Sequence, residues 1–137
     1  MKKIDIKTYE KFNFDKIYEL YCSVGWTNYT DNPEMLKGSY KNALKVLGAF
    51  EGEKLVGILK AVGDGYSILY IQDIIVHPVY QRQGIGTALL KEILKLYSNV
   101  YQKVLITDNG EETVKFYESC GFSALEKISC KGFIYLE

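Results

Sequence analysis

Residues 73–87, Asp73-Ile74-Ile75-Val76-His77-Pro78-Val79-Tyr80-Gln81-Arg82-Gln83-Gly84-Ile85-Gly86-Thr87, join a strand to a helix through a turn that carries two glycines. Upstream, Tyr66 to Val76 is the longest β run of the chain. Ile68, Tyr70, Ile74 and Val76 fall on one parity, and Leu69, Ile71 and Ile75 on the other. A strand apolar on both faces belongs in the middle of a sheet with cover on both sides. Pro78 lacks an N–H and ends regular pairing near His77. Downstream, Leu89, Leu90, Ile93, Leu94 and Tyr97 make the apolar stripe of a helix from about Gly86 to Tyr97. Between the two, Gly84 and Gly86 let backbone approach a ligand closely, and the helix start leaves several N–H groups unpaired. Those donors, with the positive end of the helix dipole and the cation of Arg82, suit a phosphate or pyrophosphate. The same residues also fit a plain strand-to-helix turn. A Walker loop is excluded because no Gly-Lys-Ser/Thr occurs, and the dinucleotide fingerprint because Leu89 stands where its third small residue belongs.

Working outward, Ile4 and Ile6 alternate with polar neighbours as a short strand does. Asn13 or Asp15 can cap a helix with Ile17, Leu20, Tyr21 and Val24 on one stripe, stopped by Gly25. Residues 25–32 read as a loop. Pro33 suits a helix start, with Met35 to Val46 helical. Val46 to Phe50 and Leu55 to Val62 are two strands about the turn Glu51-Gly52-Glu53-Lys54, and Gly63-Asp64-Gly65 is a second turn. After the central strand and its helix come a strand at Lys103 to Thr107 and a helix at Glu111 to Cys120. Thr113, Phe116, Tyr117 and Cys120 share one face of that helix, and Gly121 suits its C-terminal cap. Phe122 to Leu125 and Gly132 to Leu136 read as closing strands. The order β-α-α-β-β-β-α-β-α-β-β predicts a mixed α/β layer fold.

The 137 residues suit one domain, 1–137, with no internal repeat or Pro/Ser-rich linker. Apolar residues at 47% and charged residues at 25% give ordinary globular composition. Lys plus Arg and Asp plus Glu number 17 each, so the net charge of +0 argues against nucleic acid and anionic membrane as partners. Three scattered cysteines read as reduced thiols of a cytoplasmic protein. A single histidine and no C-x-x-C argue against a metal site. Met1 to Phe14 shows no hydrophobic signal region, and no apolar run approaches the roughly 20 residues of a bilayer span.

Taken together, Gln81-x-x-Gly84-x-Gly86 after Asp73-Ile74-Ile75-Val76-His77-Pro78, with the late Phe116-Tyr117-Glu118-Ser119-Cys120-Gly121-Phe122, resembles the GNAT superfamily of N-acetyltransferases. Ser23-Val24-Gly25-Trp26 is similar to a short single-domain branch. The resemblance covers roughly residues 46 to 125. It implies a central, mostly antiparallel sheet whose fourth and fifth strands splay apart, with helices on both faces. It also implies acetyl-CoA as co-substrate, no metal, and direct transfer of the acetyl group in a ternary complex. The acceptor it implies is a primary amine on a small molecule or peptide.

Carried over residue by residue, the pyrophosphate falls on the backbone of Gln81, Arg82, Gln83, Gly84, Ile85, Gly86 and Thr87. The pantetheine arm pairs near Ile75 and Val76, with the Val76 N–H facing the thioester oxygen, where an oriented donor favours the transition state. Tyr117 matches the tyrosine that protonates the leaving sulfur, and Asn109 falls near an asparagine that contacts CoA. Many relatives carry a glutamate at the place of Gln72, which cannot accept a proton as a carboxylate does. Asp73 and His77 are the nearby titratable residues; Asp73 equally suits a structural carboxylate. Trp26 and Tyr29 suit an acceptor wall or core packing. A non-catalytic acyl-CoA-binding or regulatory module on the same fold is the alternative. Gly132 to Leu136 could pair across a homodimer.

Overall fold

The computed structural model describes residues 3–137, which form two compact units, one up to Ile106 and one from Thr107 onward. The first unit holds a five-stranded sheet in the order β1 (Asp5–Thr8), β2 (Lys45–Glu51), β3 (Lys54–Gly63), β4 (Ile68–Val76), β5 (Gln102–Leu105). The first four strands are antiparallel, and β4 and β5 are parallel. Parallel neighbours need a crossover, supplied here by α4 (Ile85–Leu96).

One face of the sheet carries α1 (Phe14–Ser23), the single-turn α2 (Thr27–Thr30) and α3 (Pro33–Lys41). Asn13 caps α1 through its side chain, which accepts the Lys16 N–H at 3.3 Å. Ile17, Leu20 and Tyr21 of α1 and Leu36 and Tyr40 of α3 pack on Val46, Phe50, Ile58 and Ile75 of the sheet. α4 contacts β2, β3 and β4, and buries Ile85, Leu89, Leu90 and Ile93. Gly57 on β3 allows its first turn to close on the sheet. A Cβ there would lie 3.2 Å from Ile85 Cγ2 and 3.2 Å from Ala49 Cβ.

The register places a bulge in β4. Lys60 opposes Asp73 while Ala61 opposes Ile71, so Gln72 has no opposite number. Paired residues share a face and neighbours alternate. Ile71 therefore goes with Ala61 and Asp73 with Lys60, on opposite faces of the sheet, against the strict alternation read from the sequence.

Three further expectations need correction. The helix read from Met35 to Val46 ends at Lys41, where Asn42 turns back to donate its Nδ2 to the Gly38 carbonyl at 2.8 Å; Lys45 to Glu51 is already strand. The loop of residues 25–32 contains α2. In the second unit, α5 (Glu111–Ser119) forms as expected, but Phe122 to Leu125 and Gly132 to Leu136 are not strands. Leu125–Ile128 is a 3-10 turn, and Phe133, Ile134, Tyr135 and Leu136 are exposed with no ladder partner. An alternating pattern makes a strand only where an open edge receives it. Among the described residues, no helix is long and apolar enough to cross a membrane.

Candidate active site

β5 pairs with β4 only from Ile68 to Ile71, and its last residue, Leu105, stands opposite Ile71. From Gln72 to Val76, the edge of β4 that faces away from β3 is therefore uncovered by any strand among the described residues. The direction of its backbone groups follows from one bond. The His77 N–H donates to the Val56 carbonyl at 2.8 Å, so His77 and Val56 form a hydrogen-bonded pair. Along an antiparallel ladder such pairs alternate with pairs whose N–H and C=O point outward. Val76, opposite Gly57, and Ile74, opposite Leu59, thus turn their backbone groups toward the open edge. Ile75, opposite Ile58, turns its backbone to β3 and buries its side chain in the core. Ile74 was not singled out from sequence, because direction depends on register and the sequence does not print it.

At the end of this edge, Pro78–Tyr80 makes a 3-10 turn. His77 Nδ1 accepts the Val79 N–H at 3.2 Å and the ring packs edge-on against Tyr80, so His77 holds this turn together. Gln81 donates its side-chain Nε2 to the Val76 carbonyl at 2.9 Å, tying the loop to the open edge. Gln83 reaches the Val79 carbonyl at 3.5 Å. Arg82 adopts φ 64° and Gly84 φ 82°, which turn the chain sharply into α4. Gly84 caps α4 without a side chain, and the Ala88 N–H takes the Gly84 carbonyl at 3.0 Å. The N–H groups of Ile85, Gly86 and Thr87, ahead of it, have no acceptor inside the helix. A Cβ on Gly84 would meet nothing within 4 Å. The arrangement is an open cradle of donors at the positive end of a three-turn helix, beside a strand edge with free N–H groups. It fits an anion followed by an extended, amide-bearing arm.

Behind β4, on the face of α1 to α3, lies a buried polar cluster. Asp73 is 4% exposed and Lys60 0%. Asp73 Oδ2 accepts the Tyr21 hydroxyl at 2.8 Å and lies 3.6 Å from Lys60 Nζ; Oδ1 accepts the Tyr29 hydroxyl at 3.0 Å. Tyr21 spends its hydrogen on Asp73, so Tyr40 donates to Tyr21 at 2.7 Å. Lys60 also donates to Ser39 Oγ at 2.9 Å. Burial pulls the lysine below its ordinary pKa, and Asp73 opposes that pull. Burial first, then Tyr40 and Asp73, drive the Tyr21 phenol far above its ordinary value. Asp73 is engaged on both oxygens. Gln72, the exposed residue beside it, carries no carboxylate.

In the second unit, Tyr117 sits on α5 with its ring edge-on to Phe116 and Phe122, at 5.0 and 6.0 Å between centroids. Burial, then Cys120 and Asp108, push its phenol up to about 12. Asn109 is exposed. It is Asp108 that organises the start of α5, accepting the Gly110 N–H at 2.7 Å and the Thr113 hydroxyl at 3.4 Å.

The chain matches the family model described as an acetyltransferase (GNAT) domain over residues 7–136. A solved GNAT family acetyltransferase from Streptococcus pneumoniae TIGR4 is 41% identical, covers 98% of both chains and superposes with a TM-score of 0.90. Two curated relatives are similar over part of their length. An N-acetyltransferase ycf52-like protein of Prochlorococcus marinus is 28% identical over 79% of this chain. The glucosamine 6-phosphate N-acetyltransferase of Schizosaccharomyces pombe is 37% identical over 39% of it. The matches span 61% and 49% of those two relatives. With a family model that covers nearly every residue and a fold that superposes end to end, the chain belongs to the GNAT family of N-acetyltransferases.

Proposed function

We propose that residues 1–137 form one acetyl-CoA-dependent N-acetyltransferase domain that moves an acetyl group directly to a primary amine of a small molecule or peptide. The observation that carries the reading is the outward-facing β4 edge at Ile74 and Val76, followed by the N-terminus of α4, whose Gly84 cap offers its N–H groups no side chain. The donors of residues 81–87 bind a pyrophosphate, with Arg82 as an added cation. Ile74 and Val76, two residues apart on one edge, offer N–H groups to the carbonyls of an extended pantetheine arm and its thioester. A donor aimed at the developing oxyanion is stronger in the transition state than in the ground state. Acetyl-CoA supplies the activated acyl group.

Gln81 is then a positioning residue: it holds the Val76 carbonyl and so ties the loop to the peptide unit that follows the Val76 N–H. Tyr117 is assigned proton donation to the leaving sulfur, and Asn109 a CoA contact, both by family resemblance. A phenol raised to about 12 keeps its proton at neutral pH, as a general acid must. The amine reacts in its neutral form, since Gln72 is no base and Asp73 is fully engaged. A relative named for glucosamine 6-phosphate N-acetylation supports an amine acceptor. The test is release of free CoA thiol from acetyl-CoA with a panel of primary amines, the acetylated product identified by mass. Binding of acetyl-CoA with no transfer to any amine would instead support a non-catalytic acyl-CoA module.

A further inference from the structure

Four large apolar side chains stand in the open in the second unit. Phe133, Ile134, Tyr135 and Leu136 are 89%, 77%, 86% and 78% exposed. Ahead of them, Ser129 at φ 61° closes the 3-10 turn Leu125–Ile128, and the Cys130 N–H donates to the Leu125 carbonyl at 2.9 Å. From Lys131 to Glu137 no residue takes a positive φ, and no backbone group is bonded within the chain among the described residues. Aromatic and β-branched side chains on a backbone with free N–H and C=O groups make a template for a strand.

The segment is complementary to a second copy of itself. Run antiparallel about Ile134, two copies set Phe133 of each opposite Tyr135 of the other, and Lys131 of each opposite Glu137 of the other. Side chains alternate along a strand, so these four residues share one face. That face carries two aromatic pairs in the middle and an ion pair at each end, combinations that stabilise antiparallel neighbours. A slip of one residue breaks both ion pairs and puts the rings of the two copies on opposite faces. A slip of two keeps the rings together but leaves every charge without its opposite. Among the described residues, neither Lys131 nor Glu137 has an ion-pair partner in its own chain. A buried Phe or Tyr removes about 150–250 Å² from water, so the four rings of a pair carry up to roughly 600–1,000 Å². Ile134, Leu136 and the two backbones bring the pair to the region of about 1,200 Å² where specific interfaces begin.

We propose that the chain forms a two-fold homodimer in which residues 131–137 of one copy pair antiparallel with the same residues of the other, Phe133 against Tyr135 and Lys131 against Glu137. Each contact occurs twice, and the assembly closes at two copies. The inference stands apart from the reaction proposed above.

The test uses residues 1–137 with no tag after Glu137, at low salt, where exposed ion pairs are least screened. Sedimentation equilibrium from low to high micromolar concentration reads the mass, which is expected to rise from one chain to two. Lys131→Glu and Glu137→Lys each set like charges opposite at both ends and are expected to weaken the dimer roughly tenfold or more. Lys131→Glu/Glu137→Lys exchanges the signs in the same register and is expected to return to within about threefold of the parent. Phe133→Thr/Tyr135→Thr keeps a strand-forming backbone without the rings and is expected to stay at one chain mass. All four substituted side chains are exposed, so unchanged melting is expected of every variant. Amide exchange at residues 132–136 should slow only at concentrations where the mass doubles.

A parent that keeps one chain mass throughout, or climbs past two, overturns the inference. So does a dimer unaffected by Phe133→Thr/Tyr135→Thr, which would place the interface elsewhere. A sign-exchanged variant as weak as the single ones overturns the register. Slow exchange at residues 132–136 in the monomer shows the segment seated on its own chain and overturns the proposal. If the ring-free variant does not fold, the charge variants decide alone.

Discussion

Gly84→Glu isolates the anion cradle from the rest of the fold. A Cβ there points into open space, so the substitution meets no steric barrier. Its cost is the left-handed backbone at φ 82°, about 1–2 kcal/mol for a residue with a Cβ. A carboxylate beside a helix N-terminus returns about 0.3–1 kcal/mol. Unfolding entropy of about 2.1 cal/mol/K per residue gives roughly 0.29 kcal/mol/K for this chain, so the net cost lowers Tm by at most about 6 °C. Acetyl-CoA at about 100 times its Kd adds about 2.7 kcal/mol, a rise of roughly 9 °C on the same slope. Gly84→Glu should melt within about 6 °C of the parent and show none of that rise, because its carboxylate occupies the donors a pyrophosphate needs. Two controls separate the causes. Gly84→Ala carries the strain without the charge and should keep the rise. Gly52→Glu, on the β2–β3 turn at φ 60° with equally open space, carries both strain and charge away from α4 and should keep it too. Melting by circular dichroism over a series of acetyl-CoA concentrations reads all four proteins. A full rise in Gly84→Glu, or none in the parent, refutes the placement of the cofactor at this helix.

Tyr117→Phe should lower kcat and kcat/KM together by roughly 10²–10³-fold, with melting and acetyl-CoA affinity little changed, read by single-turnover kinetics. The acid form is the neutral phenol, so parent activity should fall as pH rises through about 12, above the ordinary tyrosine value of 10.0, and the variant should lack that limb. The same raised phenol contributes stability that is full below pH 10 and lost on the way to about 12, which alkaline melting curves of parent and variant will show. Asp73→Asn strands Lys60 in the core at about 3–5 kcal/mol, a Tm drop of roughly 10–17 °C; Lys60→Met/Asp73→Asn should recover most of it, and the folded single variant should lose less than a hundredfold in rate. With no base at Gln72 or Asp73, the parent rate should climb with pH toward the pKa of the acceptor, each unit below it costing about 1.4 kcal/mol. Asp64 accepts the N–H groups of Tyr66, Ser67 and Ile68 and is held far below the usual carboxylate range; its contribution is present above that range and lost as pH falls, and Asp64→Ala should speed amide exchange at residues 66–68.

The helices declared themselves through local chemistry. Asn13, Pro33 and the Leu89-Leu90-Ile93 stripe each act within one or two turns, and all three were legible in the sequence. So was the loop 81–87, whose glycines and flanks sit within fifteen residues. What stayed hidden needed a distant partner. The bonds of Asp73 to Tyr21 and Tyr29 join residues 52 and 44 positions apart, and no local pattern pairs them. Ile74 and Ile75 are alike by composition, and the ladder alone decides which presents its backbone to the open edge. The terminal segment Phe133-Ile134-Tyr135-Leu136 has the composition of a strand but no ladder partner. Asp108 organises the start of α5 through the Gly110 N–H and the Thr113 hydroxyl, contacts the sequence reading did not single out.

The unpaired Gln72 acts on β4 as a phase slip acts on a wave. Before it, the strand sends Leu69 and Ile71 toward the side of Ala61; after it, Asp73 and Ile75 go to the side of Lys60 and Ile58. One strand thus insulates two compartments, greasy on one flank and wired with hydroxyls on the other, while its hydrogen bonds to β3 run almost unbroken. Deleting this one glutamine would leave the composition of the chain nearly untouched. It would leave Ile71 and Asp73 as adjacent residues of a regular ladder, still on opposite faces, with Asp73 against Lys60 and Ile75 against Ile58, and would remove only the local bend and twist of the bulge. The extra residue therefore shapes the course of β4 just where its outer edge opens, while the residues on either side of it already hold the faces they need.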